Sequence, residues 1–302
     1  MTASTALTAT GLGKRYRGNW ALKDCSLAVP AGRVAALVGP NGAGKTTLLH
    51  LATGLLTPTS GSVSVFGEPA GRNATLARVA FLAQDKPLYD GFTVADMLRF
   101  GRHLNPRWDD DSARTRLAAL GIPLDRKVGA LSGGQQAQVA LTVALAKRPE
   151  LLLLDEPLAN LDPLARHEVM RDLMVAVAER EMTVVLSSHV VPDLKDTCDW
   201  LIVLNGGRVQ LSGDIEELIA GHRLLTGPVS LADGVAGRLD TVDDRRTDRQ
   251  ATLLVRAGPG EVFDPRWTVR GVELEELVVA YLRSPDSTAL PRLTLAGVLG
   301  GN

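Results

Sequence analysis

The chain has few cysteines and few aromatic residues, which make up 4% of the sequence. Its two cysteines, Cys25 and Cys198, lie far apart and fit no C-x-x-C pattern. The sequence therefore offers neither a disulfide framework nor a cysteine metal site, and we expect two buried or idle thiols in a reducing compartment.

The chain also lacks long apolar runs and an excess of either charge. No run of eighteen apolar residues occurs, and residues 1–10 lack the basic start and apolar core of a signal peptide. The sequence thus predicts a cytoplasmic protein that reaches a membrane only through a partner. Since 33 Lys and Arg face 34 Asp and Glu, for a net charge of -1, nucleic acid is not an expected partner.

What remains is the composition of a globular protein. With 302 residues, 45% of them hydrophobic, the chain can form one large domain and a smaller one. The composition changes after Gly221, so we place a large domain at 1–222 and an accessory region at 223–302.

A glycine-rich stretch follows the apolar run Val34–Val38 and fits the phosphate-loop pattern G-x-x-x-x-G-K-[ST]. Its glycines let the backbone bend around an anion, and the helix that begins there directs free N–H groups at the same anion. Lys45 is predicted to bind the β- and γ-phosphates of a nucleotide, and Thr46 to place its hydroxyl on Mg²⁺. The stretch reads Gly39, Pro40, Asn41, Gly42, Ala43, Gly44, Lys45, Thr46 and Thr47.

Two acidic residues, Asp155 and Glu156, follow a uniformly apolar run at 151–154. Such a run indicates a strand buried on both faces of a parallel sheet. Because successive strand residues point in opposite directions, we expect Asp155 to hold Mg²⁺ and Glu156 to face the γ-phosphate and polarise a water. Two acids at a strand end more often cap a helix, but the phosphate loop favours the catalytic interpretation.

The order of the predicted elements indicates an α/β fold. Strands alternate with helices from residue 34 to about 211, which is typical of a parallel sheet. The alternation includes a helix from 163 to about 180 and a buried strand at 183–188. Short strands over 3–38 predict an N-terminal antiparallel β layer. Helical spacing predicts an inserted α-helical subdomain at about 86–148, with its clearest helices at 94–103, 112–120 and 134–147. The accessory region reads as a small α+β extension with one strand at 251–256 and one amphipathic helix at 272–282. The segments 240–249 and 284–302 are predicted to be turn-rich and without clear periodicity, respectively.

A second potential phosphate-binding helix end lies at Leu131-Ser132-Gly133-Gly134-Gln135, where a serine and two glycines open a helix. With this pentapeptide the chain resembles the ABC ATPases over about residues 4–220. The resemblance implies a P-loop NTPase core, with ATP and Mg²⁺ as ligands. It also implies a head-to-tail dimer, in which Ser132 and Gly134 of one subunit contact the γ-phosphate held by Lys45 of the other.

The resemblance assigns further roles by motif. Tyr16 corresponds to the aromatic residue that stacks on adenine, although Trp20 is a rival for this position. Gln84 corresponds to the glutamine that reaches Mg²⁺ and joins the core to the helical subdomain, and His189 to the switch histidine at the γ-phosphate. Asp162 ends the loop after the acids. It can contact the second subunit of the dimer, cap the helix that begins at Pro163, or do both.

The family also implies a separate transmembrane permease, docked near residues 86–96. Leu88, Tyr89 and Phe92 can line that groove or pack inside the subdomain. The sequence departs from the family pattern just after the pentapeptide at 131–135, which we call the signature. The family usually places a basic residue directly after Gln135, whereas residues 136–138 of this chain read Gln-Ala-Gln. The strength of the contact across the dimer is therefore left open.

The predicted function is an ATP-hydrolysing subunit of an ABC transporter, peripheral on the inner face of the cell membrane. Residues 159–163 and 188–190 resemble the ATP-binding subunits of bacterial drug, antibiotic or lipid exporters, which favours export. Two alternatives stay open: a soluble ABC ATPase that acts on a cytosolic scaffold, and a regulatory subunit that binds ATP without turnover.

Overall fold

The computed structural model describes residues 4–194, 197–258 and 260–290. Within them the strands are β1 (Thr5–Tyr16), β2 (Asn19–Pro30), β3 (Val34–Val38), β4 (Ser60–Val65), β5 (Glu68–Pro69), β6 (Val79–Leu82), β7 (Leu151–Leu154), β8 (Thr183–Ser188), β9 (Trp200–Asn205), β10 (Arg208–Asp214), β11 (His222–Pro228), β12 (Thr241–Arg246), β13 (Gln250–Arg256) and β14 (Thr268–Arg270). The α-helices are α1 (Lys45–Ala52), α2 (Asn73–Leu76), α3 (Val94–Leu104), α4 (Asp110–Ala119), α5 (Gly133–Ala146), α6 (Pro163–Arg180), α7 (Ile215–Ala220), α8 (Ala232–Ala236) and α9 (Leu274–Arg283).

The central sheet has the strand order β10-β9-β3-β8-β7-β6. All neighbouring strands run parallel except β10, which pairs antiparallel with β9 at one edge. Every residue of β3, β7 and β8 is buried. The uniformly apolar sequences of β3 and β7 predicted this, whereas β8 also buries Thr183, Ser187 and Ser188. The loops that follow β3, β6, β7 and β8 therefore leave the sheet at the same edge, where open α/β sheets bind ligands.

The N-terminal antiparallel layer has the order β2-β1-β4-β5. The prediction of short strands over 3–38 was wrong for β1 and β2, which have twelve residues each. Their pairing shifts register between Ala9 and Leu12, where Gly11 takes a φ of 55°, and Asp24 on the facing strand takes a φ of 53°. These irregularities interrupt the alternation of apolar and polar residues, so each strand appears broken in the sequence.

Helices α3, α4 and α5 occupy the region of the predicted helical subdomain. They bury a small core of their own, which includes Val94, Leu117 and Val139. Thr93 and Asp96 form a capping box at the start of α3, and Asp109 caps α4. The predicted helix bounds were correct to within two residues.

The accessory region forms a third sheet, with the order β12-β13-β11-β14. The sequence predicted one strand here, at 251–256, and missed β11, β12 and β14. Strand β12 lies at 241–246, inside the segment predicted to be turn-rich, because its charged residues occupy an exposed edge and show no apolar alternation. The predicted helix at 272–282 is α9, two residues later at its start. Residues 291–302, part of the tail predicted to lack periodicity, lie outside the described residues.

The accessory region shares a hydrophobic core with the central sheet. Leu277 and Tyr281 of α9 belong to the same cluster of buried residues as Leu201 and Leu211 of β9 and β10. Asn205 Nδ2, at the end of β9, also donates a hydrogen bond to the carbonyl oxygen of Leu282 at 3.1 Å. The domain boundary between 222 and 223 stays a prediction, and β11 already begins at His222.

Candidate nucleotide-binding site

The phosphate loop connects β3 to α1 and depends on glycine at particular positions. Gly42 and Gly44 take φ values of 81° and 107°, in the left-handed region that favours glycine. A Cβ added to Gly39 would lie 2.1 Å from the carbonyl oxygen of Leu204, so no larger residue fits there. No side chain caps the start of α1, which leaves the first N–H groups of that helix available to an anion.

This loop forms one wall of a cleft of about 510 Å³. The cleft brings together the residues after β3, β6, β7 and β8 that the sequence predicted to share one site. They are Pro40, Asn41, Gly42, Ala43, Gly44, Lys45, Thr46, Thr47, Gln84, Glu156 and His189, joined by Ala21 of β2.

Lys45 lies at the floor of the cleft and is 6% exposed. Its Nζ donates to the carbonyl oxygen of Gly39 at 2.8 Å and lies 3.2 Å from Glu156 Oε1. The ammonium group is therefore held between the phosphate loop and the Glu156 carboxylate.

Asp155 and Glu156 diverge, as predicted. The Ser187 hydroxyl donates to Asp155 Oδ1 at 2.6 Å and accepts from the Glu156 backbone N–H at 2.8 Å. Glu156 takes a φ of 47°, uncommon outside glycine, and this turns its side chain towards the cleft. Ser187 is thus the contact that fixes both acids. It belongs to no predicted motif, although it immediately precedes Ser188 and His189.

His189 completes the acid's surroundings. Its Nδ1 lies 2.8 Å from Glu156 Oε2, and since a carboxylate only accepts, Nδ1 carries the proton. The His189 side chain is 53% exposed and faces the cleft. Glu156 therefore contacts Lys45 through one oxygen and His189 through the other.

The signature residues occupy a different cavity, of about 350 Å³. Ser132 caps α5 in a capping box with Gln135, accepting from the Gln135 N–H at 3.2 Å. Asp162 caps α6 by accepting from the Ala165 N–H at 3.0 Å, which confirms its predicted capping role. Ser132, Gly133, Gly134, Gln135 and Asp162 line this cavity and share no lining residue with the phosphate-loop cleft.

Comparison with known proteins identifies the family. Residues 22–159 match the family model described as ABC transporter. The chain is 39% identical to the aliphatic sulfonates import ATP-binding protein SsuB of Shigella flexneri serotype 5b (strain 8401), over 84% of this chain and 96% of that protein. The chain belongs to the ABC transporter ATP-binding proteins. It is also 34% identical to the Nod factor export ATP-binding protein I of Rhizobium sp. (strain N33), over 73% of this chain and 74% of that protein.

Solved structures agree with this assignment. The ABC transporter subunit cbiO1 of Clostridium perfringens is similar with a TM-score of 0.62 and 29% identity, covering 72% of this chain and 91% of that one. The chain is thus an ABC ATPase with a P-loop NTPase fold. Among its described helices, none combines the length and apolarity needed to cross a membrane.

The adenine-binding residue of this ABC ATPase stays a prediction. Tyr16 and Trp20 flank the β1–β2 turn and are 44% and 41% exposed. Lys14 Nζ lies 5.4 Å from the Tyr16 ring centroid, and the Arg15 guanidinium carbon 5.8 Å from that of Trp20. Neither ring lines the cleft, so the structure does not choose between them.

The predicted Mg²⁺ ligands suit that ion chemically. Thr46 and Gln84 line the cleft, and Asp155 lies just behind it, bonded to Ser187. Hydroxyl, amide and carboxylate oxygens are the hard donors that Mg²⁺ takes, and it keeps part of its shell for water and phosphate. The described residues contain no cluster of three or more His, Cys, Asp and Glu that could hold a metal ion.

The two cysteines lie outside both cavities. Both are buried, as expected, and burial raises the pKa of the Cys198 thiol to about 12. Burial also raises the pKa of Cys25. Both thiols are therefore protonated at neutral pH and poor nucleophiles.

Proposed function

We propose that this ABC ATPase works as a head-to-tail dimer with two composite ATP sites. The observation that carries this proposal is the separation of the two cavities. Lys45 and Ser132 face different openings of one copy, so a second copy is needed to bring a signature helix to the phosphate loop. Ser132 and Gly134 of one copy then contact the γ-phosphate of ATP bound to the other.

In this proposal the residues of the cleft have different roles in binding and hydrolysing ATP. Lys45 and the free N–H groups of α1 bind the β- and γ-phosphates, which requires Lys45 to leave Glu156. Glu156 then polarises the attacking water, and His189 holds the carboxylate through its Nδ1–H. Thr46, Gln84 and Asp155 are the residues that would hold Mg²⁺, which supplies positive charge at the β- and γ-phosphate oxygens when bound.

We further propose that the helical subdomain docks a separate transmembrane permease. Tyr89, Phe92 and Phe100 are each more than a third exposed and contact one another, with ring centroids 5.0 to 6.4 Å apart. They adjoin an apolar groove of about 410 Å³ that includes Leu88 and Met97. Exposed aromatic clusters of this kind are typical of protein interfaces. The groove lies close in sequence to Gln84, so cleft and docking site share one loop.

For the transport direction we propose export of a drug, antibiotic or lipid-like substrate. One relative is named for import and another for export, so the comparisons support transport without favouring a direction. The proposal of export rests on the sequence context at 159–163 and 188–190. The substrate-binding site would lie in the permease.

A paired experiment tests this function. The purified chain should hydrolyse ATP, and native pull-down from gently solubilised membranes should recover a polytopic membrane protein in stoichiometric amount. Recovery of a soluble partner from the cytosolic fraction alone would favour the scaffold-bound ATPase instead. Vesicles rebuilt with the recovered permease, with ATP on the outside only, would then show uptake if the system exports.

A further inference from the structure

Three helices meet around one partly buried arginine outside the nucleotide cleft. Arg116 lies in the last turn of α4, and 18% of its side chain is exposed. Its Nη2 donates to Gln138 Oε1 of α5 at 3.2 Å, and its Nη1 donates to the carbonyl oxygen of Asp172 of α6 at 3.4 Å. Gln138 Nε2 donates to Asp172 Oδ2 at 3.0 Å. We call these three residues the Arg116 triangle.

The Arg116 triangle borders the apolar core on one side, and on the other Arg171 Nη2 lies 3.1 Å from Asp172 Oδ1. Leu141 on α5 and Leu173 on α6 belong to the central hydrophobic core, and Gln138 is only 5% exposed. Polar groups in such a position cost free energy unless they satisfy one another. Arg116 Nη2 also lies 3.7 Å from Asp172 Oδ2, so the triangle combines an ion pair with hydrogen bonds. Directional contacts of this kind hold two helices in one relative position. Apolar packing alone restricts that position less.

The Arg116 triangle adjoins the cavity that is lined by the signature residues. Gln138 lines the same cavity as Ser132 and Asp162. Ser132 and Asp162 cap α5 and α6, and Gln138 lies about 9 Å along α5 from its cap. A shift of α5 along α6 would therefore change the spacing of the two caps.

The positive charge in the triangle comes from the inserted subdomain. Residues 136–138 of the signature helix are Gln, Ala and Gln and carry none. Arg116 supplies a cation from α4 at the point where α5 meets α6.

We infer that Arg116 is a positioning residue for ATP hydrolysis, which holds α5 against α6 so that Ser132 and Asp162 face the second copy as one surface. This inference rests on the proposed composite site. Arg116 itself touches neither the phosphate loop nor the nucleotide cleft.

The test compares two arginines of the same helix. Arg116→Met removes the cation from the triangle, whereas Arg114→Met removes an exposed pair with Asp110 on α4 and serves as the control. We expect Arg116→Met to lower the rate at saturating ATP by up to about a hundredfold, as for a misplaced reacting group. ATP-driven dimerisation, followed in a Glu156→Gln background, should weaken in parallel, while ATP affinity of the single copy stays unchanged.

Relocating the charge separates positioning from simple stability. Arg116→Met/Gln138→Arg returns a guanidinium to the Asp172 carboxylate from α5, and it should recover most of the lost turnover and dimerisation. Arg116→Met/Asp172→Asn removes both charges and the bridge, and it should recover stability without recovering turnover. Gln138→Ala gives an independent test if Arg116→Met does not fold, and it should show the same two losses.

Two results would overturn the inference. The first is that Arg116→Met behaves like Arg114→Met in turnover and dimerisation. The second is that Arg116→Met/Asp172→Asn recovers full turnover, which would mean that Arg116 only neutralises the buried charge of Asp172. Failure of the proposed function looks different, because then wild-type protein itself neither dimerises with ATP nor hydrolyses it. That result would overturn both proposals.

Discussion

At the scale of single residues, Glu156 is held in place both by its side-chain contacts and by its backbone. Its carboxylate contacts Lys45 and His189 at once, while its own backbone is held in a left-handed conformation by Ser187. Backbone strain of this kind costs about 1 to 3 kcal/mol and is found at functional sites. The strain and the buried charge together support Glu156 as the proposed base.

Glu156→Gln should therefore keep ATP binding and lower turnover by ~10²–10⁴, as expected when a positioned proton acceptor is lost. The variant should also accumulate as an ATP-bound dimer in size-exclusion chromatography. Glu216→Gln, an exposed change on α7, is the control. Turnover equal to wild type would reject Glu156 as the base.

Lys45→Ala should weaken nucleotide binding itself, because it removes the cation at the floor of the cleft and leaves Glu156 with an uncompensated charge. Titration calorimetry with ATP should show a lower affinity than for wild type. Unchanged affinity would contradict the phosphate-loop assignment.

Ser187→Ala should affect both acids, because one hydroxyl bonds to Asp155 and to the Glu156 backbone. The loss of this contact should lower the free energy of unfolding by about 1–3 kcal/mol, the cost of unpaired buried polar groups. Turnover should fall as well, since Glu156 loses the bond that fixes its backbone. Ser187→Thr keeps the hydroxyl and should retain most of both properties; equal behaviour of the two variants would show that the hydroxyl is unimportant.

At the scale of elements, the helices and strands that could be predicted from the sequence are those with buried apolar residues or a clear helix start. Strand β8 and helix α6 were predicted with their observed bounds, because β8 is centred on the buried apolar residues 184–186 and α6 has Pro163 at its start. The site residues could be placed together because parallel strands end at one edge of the sheet. Strands β12 and β14 could not be predicted, since charged or exposed residues on a sheet edge carry no period, and Ser187 has no motif of its own.

The aromatic residues of the helical subdomain give an element-scale prediction. Tyr89→Ser/Phe92→Ser removes two exposed rings of the aromatic cluster at the proposed docking groove and should reduce the permease recovered in membrane pull-downs. Val175→Ser, at another exposed apolar position on α6, is the matched control. Circular dichroism should show that both proteins are folded. Equal recovery with both would place the permease elsewhere.

At the scale of the whole molecule, one buried network joins the first strand of the accessory sheet to α9. His222 Nδ1 lies 2.6 Å from the Leu218 carbonyl oxygen, so this nitrogen carries the proton, and Nε2 accepts from the Tyr281 hydroxyl at 2.9 Å. Arg256 Nε donates to the same hydroxyl at 3.1 Å. Every member is satisfied when His222 is neutral.

This network predicts a pH dependence of folding. Burial lowers the pKa of His222 below its ordinary value and outweighs the Leu218 carbonyl, which raises it; the smaller effects of Arg256 and Asp240 oppose each other. As the pH falls through about 6.5, the unfolded chain takes up a proton on this residue that the folded chain resists, so the free energy of unfolding decreases. The stability is present above that pH and lost below it.

His222→Gln should flatten this dependence, because glutamine takes up no proton in either state. Denaturant unfolding at pH 8, 6.5 and 5 should show a smaller loss of stability towards low pH than in wild type, even if the variant is less stable at pH 8. His167→Gln, an exposed change on α6, should leave the wild-type slope in place. An equal loss of stability towards low pH in wild type and His222→Gln would mean that other groups determine the acid stability. The network between the accessory sheet and α9 would then make no contribution to the pH dependence.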